Sequence, residues 1–227
     1  PIDIVADFNW EKNNQNENRL IILPMKNVDP QLNGIIPESI GNLEYLKSLD
    51  MSNNKLKGTI PITIGNLSML EEIKLSYNDL EGRIPSELIN LSQLKTLYLF
   101  GNHLSDTLPS FNDSLALEEI KLYQNNLSGV IPESIKKLLQ LRNLQLNYNN
   151  LSGEIPIDLL RLPNMYTLKL SHNQLTGLIS EDICNIERVY LDGNNLTGPV
   201  PDCVCNMVYI SLSYNKLCEY SPNCIDI

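Results

Sequence analysis

Few side chains in this sequence have the types and spacing that catalysis requires. There are two histidines, His103 and His172, and no serine or cysteine has a sequence context that suggests an activated nucleophile. The acid pairs at 71–72 and 118–119 lie at the start of strand-like segments, where adjacent side chains face opposite ways, so they do not form acid–base pairs. Neither a glycine-rich phosphate loop nor a calcium loop is present. We therefore predict no enzymatic activity, no cofactor and no metal ion.

All five cysteines lie in the C-terminal part of the chain, and disulfide formation is the chemistry we expect of them. Structural disulfides would imply secretion. Reduced cysteines packed as small buried residues and a zinc site are the two alternatives. Zinc has little support, because the nearest histidine is His172 and Cys-x-Cys alone is a weak ligand motif. The cysteines are Cys184, Cys203, Cys205, Cys218 and Cys224.

Six asparagines begin Asn-x-Ser/Thr sequons, the acceptor sequence for N-glycosylation of secreted proteins. Such sequons arise easily in an asparagine-rich repeat, so their support for glycosylation is mild. None of them falls at the variable strand positions defined below, which leaves that surface free of sugar. The candidates are Asn66, Asn90, Asn112, Asn126, Asn150 and Asn195.

Charge and hydropathy exclude several functional classes. The formal net charge is −10, whereas nucleic-acid binding needs clustered Lys and Arg, so we expect no nucleic-acid partner. No apolar run approaches the length of a membrane span, so we expect no membrane contact within this chain. The chain starts at Pro1 without a charged-then-apolar leader, so we expect any signal peptide to have been removed.

A repeat of 21–26 residues supplies the elements that position these side chains. An apolar residue recurs at offsets 0, 3 and 5, asparagine at offset 8, leucine at 10, glycine at 12 and Ile-Pro at 14 and 15. An imperfect first copy begins at Leu20, so the pattern predicts about nine repeats over residues 20–217. The other copies begin at Leu46, Leu70, Leu94, Leu117, Leu141, Met165, Ile186 and Met207.

Each residue type in the repeat has a physical reason. Leu-x-x-Leu-x-Leu alternates apolar positions and predicts a short strand with one buried face. The asparagine can bond the backbone groups that the following turn frees, in its own coil and in the neighbouring one. Ile-Pro extends the chain, and the residues after it predict a brief helical or 3₁₀ return. No single coil can bury its leucines alone, so the coils must stack.

The pattern L-x-x-L-x-L-x-x-N-x-L-x-G-x-I-P-x-x-I-G-N-L closely resembles the plant-type leucine-rich repeat, and residues 46–66 and 67–90 match it almost letter for letter. The resemblance implies an α/β solenoid, a right-handed superhelix with a parallel β-sheet on its concave face and short 3₁₀ or helical turns on its convex side. It also implies a second short sheet and ligand binding on the concave face. The family includes receptor-kinase and receptor-like-protein ectodomains and polygalacturonase-inhibiting proteins.

The resemblance also implies that the two ends of the chain are caps. Residues 1–19, with Phe8 and Trp10, look like a shortened N-terminal cap, although the cysteine pair that the family usually places around that tryptophan is missing. Residues 218–227 look like the cysteine-bearing C-terminal cap of plant-type members. We therefore expect a cap, about nine repeats and a second cap.

Spacing leaves the pairing of the cysteines open. Cys218 and Cys224 are close enough in sequence to clip the C-terminal cap. Cys184 and Cys205 are one local repeat apart and so occupy equivalent positions of stacked coils, roughly 5 Å apart, which suits a disulfide. The Cys184–Cys203 pair is nearly as compatible. Of the five, we favour Cys203 as the unpaired thiol.

Recognition chemistry must come from the strand positions that the core does not fix, at offsets 2, 4, 6 and 7. Tyr98, Phe100 and Tyr123 adjoin across neighbouring strands there, and we expect them to face solvent. Tyrosine at offset 7 is common in the repeat itself, so some of these rings can be scaffold. Aromatic and basic side chains together suit a peptide, a protein loop or a sugar chain. The candidate ligand-binding residues are Lys74, Tyr77, Tyr98, Phe100, Lys121, Tyr123, Tyr148, Lys169 and His172.

Three functions fit these observations. The preferred one is a non-enzymatic recognition module that binds a protein or peptide ligand on its concave face, as an extracellular receptor ectodomain or a secreted binding protein does. The second is an inhibitor of a secreted cell-wall hydrolase. The third is a structural protein of a cell wall, cyst wall or matrix. The cysteines and sequons together predict an extracellular or cell-surface location.

Overall fold

The computed structural model describes residues 9–12, 18–28 and 31–218, and most of its strands are only three or four residues long. The strands, numbered in chain order, are β1 (Asn9–Lys12), β2 (Asn18–Pro24), β3 (Asn33–Ile35), β4 (Ser48–Asp50), β5 (Lys55–Gly58), β6 (Glu72–Lys74), β7 (Asp79–Gly82), β8 (Thr96–Tyr98), β9 (His103–Leu104), β10 (Glu119–Lys121), β11 (Ser128–Val130), β12 (Asn143–Gln145), β13 (Asn150–Glu154), β14 (Thr167–Lys169), β15 (Gln174–Thr176), β16 (Arg188–Tyr190), β17 (Thr197–Gly198), β18 (Tyr209–Ser211) and β19 (Lys216–Leu217).

These strands form two sets along a right-handed solenoid. The concave sheet has the order β1-β2-β4-β6-β8-β10-β12-β14-β16-β18, with every pair parallel except β1 with β2. The second set comes from the Leu-x-Gly segment, as expected, and runs in three sections, β3-β5-β7-β9, β11-β13-β15 and β17-β19. Isolated bridges from Thr107 to Ser128 and from Leu178 to Thr197 link the sections. The predicted fold class is therefore confirmed.

Short helical turns return the chain on the convex side. Each begins after a residue with extended or near-extended backbone, which is proline in every case but one. The proline belongs to the Ile-Pro pair of the repeat or, in the last helix, to the pair Val200-Pro201. The exception follows Ser180, whose hydroxyl accepts a hydrogen bond from the backbone N–H of Asp182. The 3₁₀ helices are Glu38–Asn42, Ile62–Asn66, Ser86–Asn90, Glu133–Lys137, Glu181–Asn185 and Asp202–Asn206, and one α-helical turn, α1, spans Ile157–Leu160.

A single apolar core runs the length of the stack. The central residue of each concave strand from β4 to β16 points inward, and Leu49, Ile73 and Leu168 are completely buried. Equivalent residues pair directly across the sheet, Leu49 with Ile73 and Leu144 with Leu168. Because each coil covers the leucines of the next, burial is completed only by stacking. Among the described residues, no helix is long and apolar enough to cross a bilayer.

A ladder of buried asparagines ties each coil to the one before it. Asn125 donates from Nδ2 to the carbonyl of Leu122 in its own coil (3.0 Å) and of Leu99 in the preceding coil (3.1 Å). Its Oδ1 accepts from the backbone N–H of Leu104 at 2.9 Å. The same three-way pattern recurs at Asn54, Asn78, Asn102, Asn149, Asn173, Asn194 and Asn215.

The two caps are described only in part. The backbone of Trp10 lies in β1, opposite Leu20 of β2, while Phe8 and the rest of segments 1–8 and 13–17 lie outside the described residues. At the other end the description stops at Cys218, so Cys224 and the remainder of the predicted C-terminal cap lie outside it. The boundaries at residues 19 and 218 stay predictions.

The disulfide pairing differs from the one the spacing favoured. Cys184 pairs with Cys203, at a Cα separation of 6.1 Å, and Cys205 is also disulfide-bonded. The free and exposed thiol is Cys218. The predictions that Cys184 pairs with Cys205, that Cys203 is unpaired and that Cys218 clips the cap were therefore wrong. Equivalent residues of stacked coils project in parallel, whereas a disulfide needs side chains that converge, so sequence equivalence is a poor guide to pairing.

We expect Asn125→Ala to lower the free energy of unfolding by about 1–3 kcal/mol, because it leaves the N–H group of Leu104 buried without its partner. The carbonyls of Leu99 and Leu122 each lose one of two asparagine donors and keep the other. Urea denaturation followed by circular dichroism measures this change. The control is Asn42→Ala at an exposed asparagine, which should stay within about 0.5 kcal/mol of the parent. Equal losses in the two variants would contradict a structural role for the ladder.

Alkylation under denaturing, non-reducing conditions should label Cys218, because its thiol is free. Peptide mapping of the same sample should recover a crosslinked pair that contains Cys184 and Cys203. Cys218→Ser should remove the label, whereas Cys203→Ser should add a label at Cys184. Labelling of Cys184 in the unchanged protein would contradict the pairing.

Candidate functional site

Parallel pairing aligns the outward positions of the concave strands into continuous rows. The register places Lys74 opposite Tyr98 and Tyr98 opposite Lys121. Side chains two residues apart in a strand share a face, so Glu72 stands beside Lys74 and Glu119 beside Lys121. Offsets 2 and 4 therefore form adjacent rows on the concave face.

Four rings from three neighbouring coils form what we call the aromatic cluster, Tyr77, Tyr98, Phe100 and Tyr123. The rings of Phe100 and Tyr123 are stacked at 4.3 Å between centroids, and Tyr77 meets Phe100 edge-on at 5.0 Å. Tyr98 lies 6.2 Å from Phe100 in a tilted arrangement. Tyr98, Phe100 and Tyr123 are consequently half-buried, which corrects the expectation that they simply face solvent: much of each ring covers another ring.

Tyr98 is held in place by two neighbours from the next coil. Its hydroxyl donates to the carboxylate of Glu119. Lys121 donates to the Tyr98 hydroxyl oxygen at 2.8 Å, pairs with Glu119 at 2.9 Å, and places its Nζ 4.2 Å from the centre of the Tyr98 ring. The three side chains form a closed triangle that fixes the orientation of the ring.

The electrostatics of this triangle follow from burial and mutual contact. Burial raises the pKa of Tyr98, and the hydrogen bond to Glu119 raises it further. Burial alone would raise the pKa of Glu119, but hydrogen bonds from Tyr98 and Lys121 outweigh it and leave that pKa lowered. Burial would lower the pKa of Lys121, but the same partners leave it raised. At neutral pH the triangle is therefore a charged pair around a neutral phenol.

The remaining side chains around the aromatic cluster also interact with one another. Burial and the neighbouring Tyr77 raise the pKa of Tyr123 to about 12. Lys74 pairs with Glu72 at 2.9 Å, and Ser48 donates to the same carboxylate at 3.1 Å. The charges of Lys74 and Lys121 are thus compensated within their own strands.

A left-handed backbone position aims the ring of Tyr77. All offset-7 residues from Asn27 to Tyr214 have positive φ, including Tyr77 at 54° and Gly101 at 65°. The Tyr77 ring lies over Gly101, and a Cβ atom at that glycine would approach the Tyr77 Cδ1 to 2.6 Å. Gly101 therefore gives the ring the space that it needs beside Phe100.

A second group of side chains lies further along the same face. Tyr148 and His172 are stacked at 4.4 Å, and the His172 Nε2 lies 3.5 Å from a carboxylate oxygen of Asp192. Ser171 donates to the other oxygen of Asp192 at 2.6 Å. The His172 ring lies over Gly193, where an added Cβ would meet Nδ1 at 2.8 Å. An aromatic ring therefore lies over a glycine of the next coil here, as Tyr77 lies over Gly101.

The last coils place cations against rings. Lys169 lies 4.9 Å from the centre of the Tyr190 ring, and Tyr190 lies 4.7 Å from Tyr209. The Arg188 guanidinium lies 5.2 Å from the centre of the Tyr166 ring. These contacts give the C-terminal half of the face a basic and aromatic character of its own.

The predicted binding residues thus fall into two groups. Six of them meet around the aromatic cluster, while Tyr148, Lys169 and His172 lie beyond β12 in the second group. Sequence reasoning missed Glu72, Glu119, Arg188, Gly101 and Asp192. The period of two in a strand could have found the glutamates, because it places each on the face of a predicted lysine.

Family models described as leucine rich repeat match residues 30–80 and 44–104, and further matches cover residues 116–138, 140–162, 164–186 and 185–207. Together they account for more than half of the chain. The chain belongs to the leucine-rich-repeat family. Its repeats are of the plant type, and similar solved structures include leucine-rich-repeat ectodomains of plant receptor kinases. A comparison with curated proteins found no match.

Among solved structures, the plant peptide hormone receptor RGFR1 in complex with RGF2 is 38% identical over 82% of this chain, with a TM-score of 0.79. The ectodomain of the receptor kinase GASSHO1/SCHENGEN3 from Arabidopsis thaliana, in complex with CASPARIAN STRIP INTEGRITY FACTOR 2, is 35% identical over 87%, with a TM-score of 0.82. This chain spans only 31% and 24% of those proteins. A plant ice-binding protein is 27% identical over 88% of this chain and 76% of its own, with a TM-score of 0.63.

In this leucine-rich repeat, Gly101→Ala should destabilise the fold through two separable effects, contact with the Tyr77 ring and left-handed backbone strain of about 1–2 kcal/mol. In a Tyr77→Ala background only the backbone part remains, so the cost of Gly101→Ala should fall. A double-mutant cycle measured by urea denaturation gives the coupling, which we expect to be about 0.5–3 kcal/mol. Additive losses would show that Gly101 does not make room for Tyr77.

Proposed function

We propose that this leucine-rich-repeat chain is a non-enzymatic recognition module that binds a protein or peptide ligand on its concave face, with the aromatic cluster as the principal contact. The residues assigned to this role are Tyr77, Tyr98, Phe100 and Tyr123, flanked by Lys74 and Lys121. The location assigned to the module is extracellular.

The observation that carries the proposal is the preorganised cluster itself. Tyr98 is fixed by Glu119 and Lys121, and Phe100 is fixed by the rings on either side of it. Side chains that are ordered before binding lose little conformational entropy when a ligand arrives. Large aromatic residues in such a setting are the residues that most often dominate protein interfaces.

The geometry favours a protein or peptide over a sugar chain. A sugar stacks on the open face of an aromatic ring, but Phe100 and Tyr123 turn their faces to each other at an interplanar angle of 11°. The groups that remain available to contact a ligand are the ring edges, the polar atoms of Tyr98, Glu119 and Lys121, and nearby amide groups. Edge-on contacts with other aromatic side chains and hydrogen bonds to a peptide backbone suit this arrangement.

The relatives support the same class of ligand. RGFR1 is described in complex with RGF2 as a plant peptide hormone receptor, and PEPR1, 33% identical over 87% of this chain, is described in complex with AtPEP1. Because this chain spans about a third of those proteins or less, the comparison supports the type of ligand and leaves its identity to experiment.

An extracellular location is supported by the Cys184–Cys203 disulfide, since such bonds persist in oxidising compartments. Four of the sequon asparagines, Asn66, Asn90, Asn126 and Asn150, are exposed and could accept a glycan. The described sequons all lie off the concave strands.

To test the proposal, a displayed library of random twelve-residue peptides is selected on the protein, and a recovered peptide is titrated by calorimetry. Tyr98→Ala or Tyr123→Ala should weaken binding by about 2 kcal/mol, roughly thirtyfold, because each removes an ordered aromatic contact. Thermal unfolding of each variant confirms that it is folded.

The control is Glu38→Ala on the convex side, where an exposed side chain begins a 3₁₀ helix; its affinity should equal that of the parent. If both tyrosine variants bind like the parent, the aromatic cluster is not the ligand contact.

A further inference from the structure

The charges on the concave face are arranged differently in its two halves. In the N-terminal half, Lys74 and Lys121 each pair with a glutamate two residues earlier in the same strand, at 2.9 Å. The glutamate points from the same face because of the strand period. These two lysines therefore have little charge left to offer a ligand.

Lys169 of β14 and Arg188 of β16 lack such partners. The residue two before Lys169 is Thr167, and the residue two after Arg188 is Tyr190. Within residues 9–12, 18–28 and 31–218, neither cation has a carboxylate oxygen within 4.0 Å; each lies over a ring instead. Two uncompensated cations on one face are notable in a chain whose net charge is −10.

Two acidic side chains near these cations already have hydrogen-bond partners. Glu187 accepts a hydrogen bond at 2.7 Å from the hydroxyl of Tyr166, the ring over which Arg188 lies. Asp192 accepts a hydrogen bond from Ser171 at 2.6 Å and faces His172 at 3.5 Å. A cation–aromatic contact uses the face of a guanidinium or one side of an ammonium, so the N–H donors of Lys169 and Arg188 stay available.

The register makes the two cations diagonal neighbours. Thr167 pairs with Arg188, and Lys169 pairs with Tyr190. Diagonal residues on adjacent strands lie roughly 7–8 Å apart, which long side chains can span. One carboxylate placed between them can therefore contact both.

We propose that Lys169 and Arg188 form a subsite for the carboxylate of an acidic residue in an extended peptide ligand, whose apolar residue contacts the aromatic cluster. This inference rests on the proposed function and adds the chemistry of the ligand. Charge complementarity selects the occupant: an acidic segment gains two charge-assisted hydrogen bonds, whereas a basic or neutral segment leaves the two cations unpaired.

The strand spacing fixes the distance between the two anchors. The aromatic cluster is centred on β8 and β10 and the cationic subsite on β14 and β16, so three strand spacings of about 4.8 Å, roughly 14 Å, separate them. An extended peptide advances about 3.3 Å per residue. The apolar and acidic residues of the ligand are therefore about four positions apart.

The strand between the anchors suits a peptide backbone. β12 presents Asn143 and Gln145 outward, and these amides bond to each other at 3.1 Å. Amide side chains carry both donors and acceptors, so they can exchange this bond for bonds to a peptide that crosses the strand. Neither carries a charge that would oppose an acidic residue.

The test uses peptides recovered from the same displayed library, sequenced as a population. We expect enrichment of Asp or Glu three to five positions from an aromatic or aliphatic residue. In calorimetry with one such peptide, Lys169→Gln and Arg188→Gln should each weaken binding about tenfold, the range expected for loss of a hydrogen bond to a charged group. Replacing the peptide's acidic residue by its amide removes both contacts, so it should weaken binding more than either protein change, by up to about a hundredfold, and make both protein changes nearly silent.

The matched control is Lys57→Gln, which removes the same charge from an exposed lysine of the second sheet. It should leave affinity unchanged, and an effect as large as that of Lys169→Gln would overturn the subsite in favour of long-range charge. Recovered peptides without acidic enrichment that still depend on Tyr98 would also overturn the subsite, while the proposed function stands. Failure to recover any binding peptide would overturn both.

Discussion

Buried asparagines hold this fold together, because they are the only polar side chains that join one coil to the next throughout the described core. Each one bonds three backbone groups inside the protein, two of which belong to the preceding coil. Each carbonyl is shared by the asparagines of two successive coils, as Leu99 shows with Asn102 and Asn125, so the ladder as a whole keeps these groups paired. Leaving them unpaired would cost several kcal/mol at each coil. The stacking of coils is thereby fixed in register and not only in distance.

A fixed register is what turns a repeat into a binding surface. The asparagines and leucines align the strands. A side chain at offset 4 can then contact only the side chains at offset 4 of the adjacent strands and those two residues before or after that position. The Tyr98 triangle depends on this, since Tyr98 in one coil reaches both Glu119 and Lys121 in the next. A slip of one residue would turn these side chains into the core.

The fold could be predicted from the sequence because the asparagines and leucines recur at spacings that have one physical solution. The alignment of concave residues followed too, as the pairing of Tyr98 with Lys74 on one side and Lys121 on the other illustrates. The cysteine pairing did not follow, because spacing identifies equivalent positions and says nothing about side-chain direction. Spacing also could not show that Phe100 and Tyr123 stack, since this depends on rotamers chosen among three neighbouring coils.

Gly101 illustrates a different limit. The repeat accepts asparagine, tyrosine, glutamine or histidine at the left-handed position, so a glycine there looks like relief of strain alone. In the structure the missing Cβ also leaves room for the ring of Tyr77. A residue can thus shape a site by having no side chain, and only the position of its neighbour reveals it.

The two halves of the concave face use their polar groups in opposite ways. Around the aromatic cluster, lysines are neutralised by their own strands, so their charges fix rings in place and contribute little to attraction. Beyond β12, Lys169 and Arg188 lie over rings that hold them without neutralising them. A ligand that matches both halves must bring apolar surface to the first and negative charge to the second. Shape recognition at one end and charge recognition at the other would also fix the direction in which a peptide lies along the solenoid, since the reversed chain would place its acid against the compensated cluster and its apolar residue against two unpaired cations.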